Sequence, residues 1–155
     1  MATKLVWATL WACIVVASVA LHLTKIGWAF DKNLLPALLP YLAGAFVGGL
    51  FGHAMASLLP ASRPSTVRFA AFFAATAVTT LGFTAFFFYI PQRAYFAQWH
   101  ADAFSVQWLF QAVFTGIGAS YLFVAAGLRP LLPWAVLALA LASLSFSRGR
   151  FPASR

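Results

Sequence analysis

Three imidazoles, two carboxylates, one thiol and a sparse set of hydroxyls and amides are what this chain of 155 residues offers to chemistry. An imidazole can ligate haem iron or a chlorophyll-type magnesium, which makes His53 and His22 the candidate cofactor ligands. His53 lies about 28 Å along a helix from Leu34, whereas His22 lies at the far end of the preceding apolar run. They fall at opposite depths and cannot share one haem, although either could pair with a histidine of another subunit. A packed, hydrogen-bonded histidine is the simpler reading of both. No cofactor is specified by the sequence.

Carboxylate with imidazole would suit a divalent metal of N/O preference. His22, Asp31, His100 and Asp102 gather on one side of the predicted bundle. Their order lacks the tight spacing of recognised metal motifs. Asp102, followed by Ala103, Phe104 and Ser105, reads instead as a helix N-cap, and Asp31 as the neighbour of Lys32. No metal site is assigned. Cys13 is the single cysteine, so intrachain disulfides and cysteine-based metal sites are excluded.

For catalysis one pattern stands out. Gly118-Ala119-Ser120 resembles the Gly-x-Ser-Gly of rhomboid proteases, in which a serine on one helix is activated by a histidine on another. Ser120, taken to lie about 24 Å from the side of His22, would approach the depth of His53. Tyr121 stands where that motif requires glycine, and no oxyanion hole is evident. No catalytic residue is assigned.

The elements that must carry these residues follow from composition. The chain is 63% hydrophobic and 8% charged, against about 25% charged in a soluble domain. It predicts one all-α integral membrane domain over residues 1–155. Five apolar segments stand out, at about 5–23, 34–59, 69–90, 104–128 and 131–146, and none contains Lys, Arg, Asp or Glu. About 20 apolar residues cross a ~30 Å hydrocarbon core, so the first four suffice and the fifth is short. Helices alone fit, since backbone polar groups in lipid must pair internally and no strand-like alternation is present. The expectation is a bundle of five transmembrane helices, the alternative being four with the last segment re-entrant or interfacial.

Cations flank these segments. Ten basic residues against two acids give a formal charge of +8. Scattered in ones and twos, they suit anionic headgroups rather than nucleic acid. With five spans, four cations fall on the side of the N-terminus (side A) and six on the other (side B). If the last segment returns to its own side, the split becomes seven against three. Trp7, Trp28, Trp99, Trp108 and Trp134 lie near segment ends, where an amphipathic ring prefers the headgroup layer. Ser18-Val19-Ala20 also offers a signal-peptide cleavage site, set aside because further spans follow at once.

Packing faces are better developed than any chemical site. Gly44, Gly48, Gly52 and Ala56 recur every four residues, a small-residue row that lets another helix approach closely. Ala112, Gly116 and Ser120 give the fourth segment a similar face, so the second and fourth are the expected partners. Gln107, Gln111 and Thr115 form a polar row expected to face the interior or a subunit interface. Thr76, Thr80 and Thr84 can satisfy their own helix's carbonyls and need no partner. Self-contained ion-coupled transport is disfavoured because no carboxylate or cation lies within a span.

The functional expectation is a small non-catalytic accessory or structural subunit of a larger membrane complex, in contact with the bilayer and with other subunits or a second copy. A bacterial cytoplasmic (inner) membrane is the expected location. The alternatives are a permease or channel component for a neutral or weakly polar solute, and a haem- or pigment-binding subunit.

Overall fold

A computed structural model describes residues 2–27 and 34–149. Trp28, Asp31 and Lys32, and two of the ten cations counted above, Arg150 and Arg155, lie outside the described residues. The described chain is all-helical: α1 (Ala2–Lys25), α2 (Leu34–Ala56), α3 (Ser65–Phe96), α4 (Val106–Leu122) and α5 (Trp134–Ser147). A π-helical stretch, Phe123–Gly127, continues α4, and a short 3-10 turn, Arg129–Leu131, precedes α5. Four helices are long and apolar enough to cross a membrane; α5 is shorter.

The glycine row of α2 meets the threonine row of α3. A Cβ on Gly44, Gly48 or Gly52 would stand 2.5 Å from the Cα of Thr84, Thr80 or Thr76 respectively. Such an approach is open only to residues without a side chain at the contact. Thr79 Oγ1 donates across the same seam to the Gly48 carbonyl at 2.7 Å. Two expectations change here. The partner of the second helix is the third rather than the fourth, and the threonine row is half of the central interface. The reason is register: both rows repeat every four residues, so two antiparallel helices can match them contact for contact.

α1 covers the other flank of α2. Its buried positions Trp7, Ala8, Trp11, Val15, Ser18, Val19 and Leu23 form one helical stripe. A Cβ on Gly49 would lie 3.0 Å from the Trp11 ring and 3.3 Å from the Ala8 Cα. Trp11 Nε1 donates to Thr80 Oγ1 at 2.9 Å, tying α1 to α3. Trp7 was expected in the headgroup belt. Instead it is buried, stacked on Trp11 with centroids 5.8 Å apart.

The fourth segment departs most from expectation. Tyr41 Oη donates to the Gly127 carbonyl, and Ser18 Oγ to the Pro130 carbonyl, each at 2.9 Å. Tyr41 and Ser18 each lie about 10 Å along their helices from the side-B ends at Leu34 and Lys25. The α4–α5 junction therefore sits inside the bundle, nearer side B, rather than at the far surface. The i→i−5 bond from Leu128 N to the Phe123 carbonyl widens the last turn. Pro130 and Pro133, which cannot donate a backbone hydrogen bond, then prevent the helix from continuing.

From there α5 runs about 21 Å back toward side A. Its C-terminal end reaches the start of α3, where Arg68 donates to the Ser147 carbonyl at 3.1 Å and the Phe146 carbonyl at 3.0 Å. The same guanidinium lies over the Phe146 ring. These bonds satisfy carbonyls that a helix end leaves open. Ser147 thus ends on the side where α1 begins.

Candidate functional site

Of the residues that could do chemistry, His53 is the most enclosed. It lies one turn from the side-A end of α2, 2% exposed. The rings of Phe72 and Phe146 meet it edge-on, each with its centroid 5.9 Å away. Nδ1 lies 3.1 Å from Ser57 Oγ, and that hydroxyl also donates to the His53 carbonyl at 2.6 Å. Nε2 has no hydrogen-bond partner among the described residues. Packed aromatics occupy the space in which a haem or chlorin plane would have to stand, so ligation through His53 does not fit this arrangement.

His22 is half-buried in the last turn of α1, on side B. The two candidate ligands therefore stand at opposite ends of the bundle. Among the described residues no group of three His, Cys, Asp or Glu side chains converges to hold a metal ion.

Ser120 is exposed on α4. It precedes Gly127, which is still only about 10 Å from side B, so it lies in the side-B half while His53 lies at side A. The depth that would have paired them assumed that the fourth segment ran straight across. It stops midway, and Ser120 does not pair with His53.

The amide row divides as well. Gln107 is exposed in the first turn of α4, and so is not a buried amide in need of a partner. Gln111 turns back toward the preceding loop, where its Oε1 accepts from the Ala101 backbone N–H at 2.9 Å. Thr115 donates to the Gln111 carbonyl at 2.8 Å. Gly116 is half-buried, its nearest foreign atom a Tyr89 ring carbon 3.8 Å from a built Cβ. Ala56 is buried at the end of the glycine row.

The cap of α4 is Ser105, whose hydroxyl accepts from the Trp108 N–H at 3.1 Å, and not Asp102. The backbone turns first, Ser105 N bonding the Asp102 carbonyl, with Phe104 at a left-handed φ of 68°. That extra turn puts Asp102 too far back to reach the first free N–H groups. Phe104 is 91% exposed, and its ring leans on that of Trp108, with centroids 5.5 Å apart.

On side B the loop before α4 holds one electrostatic device. Arg93 Nη1 hydrogen-bonds His100 Nδ1 and lies over the Trp108 ring. Desolvation, then the Arg93 charge, hold the His100 imidazole below its ordinary pKa. A depressed imidazole pKa means the unfolded loop takes up a proton before the folded one. The loop's stability is therefore greatest above the ordinary value near 6.5 and declines as pH falls through it. Proton NMR of His100 should give a midpoint below 6.5, and Arg93→Gln should raise it. An unchanged midpoint in that variant would remove Arg93 as a cause.

The cavities complete the inventory. One of about 280 Å³ lies between α1, α3, the junction and α5, lined by apolar side chains and Thr80. A shallower groove of about 560 Å³ runs between α3 and α4, past Gly82, Tyr89, Gly116 and Ser120. Comparison of the chain with models of known protein families, with curated proteins and with solved structures finds no match.

Proposed function

We propose that this chain is a small non-catalytic membrane protein that serves as an accessory subunit and receives a partner's transmembrane helix in the groove between α3 and α4. It crosses the bilayer four times, α4 and α5 together making the last crossing. The common side of Ala2 and Ser147 supports an even number. Among the described residues Lys4, Arg63, Arg68 and Arg148 on side A outnumber Lys25, Arg93 and Arg129 towards side B, four against three, which supports a cytoplasmic side A. A bacterial inner membrane remains the expected setting.

The observation that carries this reading is Gly82. A mid-helix glycine costs about 1 kcal/mol relative to alanine. Gly44, Gly48 and Gly52 offset that cost by admitting α3. A Cβ on Gly82 would meet nothing within 4 Å among the described residues. Close approach of a helix from another subunit is what a glycine there serves, and Gly116 faces the same groove. A permease reading has less support, because the interior cavity offers no polar lining beyond Thr80, whose hydroxyl already accepts from Trp11.

Gly82→Leu tests the docking groove with little risk to the fold. The native chain, extracted in mild detergent, should crosslink to a second membrane protein at fixed stoichiometry. The variant should melt no lower than the native chain and lose that partner. A native chain that is monomeric and crosslinks to nothing overturns the proposal. A homodimer dispersed by the same substitution would overturn the choice of occupant and assign the groove to a second copy.

A further inference from the structure

Beyond the subunit reading, we infer that the cavity beneath the α4–α5 junction holds an acyl chain of an anionic phospholipid whose phosphate is bound by Lys25 and Arg129. The cavity's walls include Val15, Leu128, Leu131 and Leu139. Its mouth opens sideways between α3 and α5, where Leu81, Leu132 and Val136 are 36%, 57% and 41% exposed. In a bilayer such a mouth faces hydrocarbon, so a lipid tail is the occupant at hand. Water is disfavoured, since it needs two to four polar partners.

The headgroup is specified by the rim. Arg129 opens the turn that supplies Leu131 to the cavity wall, beside the part of α1 that carries Ser18. Its side chain is exposed, about 10 Å in from side B, with no hydrogen-bond, ion-pair or ring partner among the described residues. With α4 and α5 taken as one crossing, Arg129 is a cation that falls inside it. An arginine at that depth extends toward the headgroups and pairs with an anion there. Lys25 ends α1 on the same side, its Nζ 5.9 Å from the centre of the Trp134 ring. Trp134 immediately precedes Ala135 and Val136 of the cavity wall. Two cations above a tail-sized apolar notch are the arrangement that binds anionic lipid between helices.

Native mass spectrometry of the isolated full chain, with dioleoyl phosphatidylglycerol and dioleoyl phosphatidylcholine offered in equal amounts, reads this directly. The native chain should retain one phosphatidylglycerol in several-fold preference. Lys25→Gln with Arg129→Gln should bring the two lipids to parity, while Ala135→Phe, which fills the notch, should lose the bound lipid altogether. Equal retention by the native chain overturns the inference, as does a preference that survives the double substitution. Lipid retention undiminished in Ala135→Phe removes the acyl chain from the cavity. Displacement by inorganic phosphate alone would show an anion site without a lipid. The isolated chain contains no partner subunit, so failure here is distinct from failure of the docking groove.

Discussion

Gly48→Ala should be among the most damaging single-methyl additions available in this protein, and Gly82→Ala should stabilise it. The same chemical change is made in two helices that touch each other. At Gly48 the new Cβ would stand 2.5 Å from the Thr80 Cα and 2.6 Å from its nitrogen. Both are backbone atoms, so no rotamer change relieves the clash and α2 and α3 must move apart. Separation would also stretch the Thr79 bond to the Gly48 carbonyl and disturb the Trp11–Thr80 bond behind it. Overpacking costs about 1–3 kcal/mol where side chains can adjust, and this site should reach the top of that range. At Gly82 nothing opposes the methyl, leaving the helix-propensity gain of about 1 kcal/mol. Equilibrium unfolding in micelles, followed by tryptophan fluorescence, should show shifts of opposite sign separated by about 3 kcal/mol or more. Equal shifts would mean that the α2–α3 seam is not the close contact described.

That contrast also marks what could be read in the sequence. The α2 glycine row was visible because recurrence every four residues defines a face whatever lies opposite. Its partner was not, because Gly116 and Ser120 offered a second small face and nothing in one sequence ranks the two. Thr76, Thr80 and Thr84 looked self-sufficient because their hydroxyls were considered and their Cα atoms were not. In fact Thr76 and Thr84 are buried with no hydrogen-bond partner for Oγ1 among the described residues. What this row contributes is the close backbone approach at its Cα atoms.

Depth was the other casualty. Counting 1.5 Å per residue assumes that each segment crosses straight, which holds for α1, α2 and α3. It fails after Phe123, where the widened turn, Pro130 and Pro133 stop the chain inside the bundle. The misplaced junction accounts for the assumed proximity of Ser120 to His53 and for the surface position given to Arg129.

Phe72→Ala should be the most damaging substitution at the side-A end, and its effect should fall unequally on the helices. Phe72 is fully buried and holds three elements at once. It stacks on Phe146 of α5 with centroids 4.5 Å apart, meets Trp7 of α1 edge-on at 5.3 Å, and meets His53 of α2 at 5.9 Å. In water, truncating a buried phenylalanine costs about 3–5 kcal/mol. Part of that is transfer of the ring to solvent, which a bilayer does not exact, because lipid tails are as apolar as the core. The cavity and lost dispersion contacts remain, so the loss should lie near the low end, about 3 kcal/mol. α5 should suffer most. It is shorter than a span and its apolar surface draws little hydrophobic force from lipid. Its side-A end is held chiefly by the Phe146 stack and the two Arg68 bonds. α2 and α3 keep their glycine–threonine seam, which the substitution does not touch. Hydrogen exchange in micelles should therefore quicken over Trp134–Ser147 well before it does over Tyr41–Gly52. Uniform quickening would refute the idea that Phe72 acts chiefly as the anchor of α5.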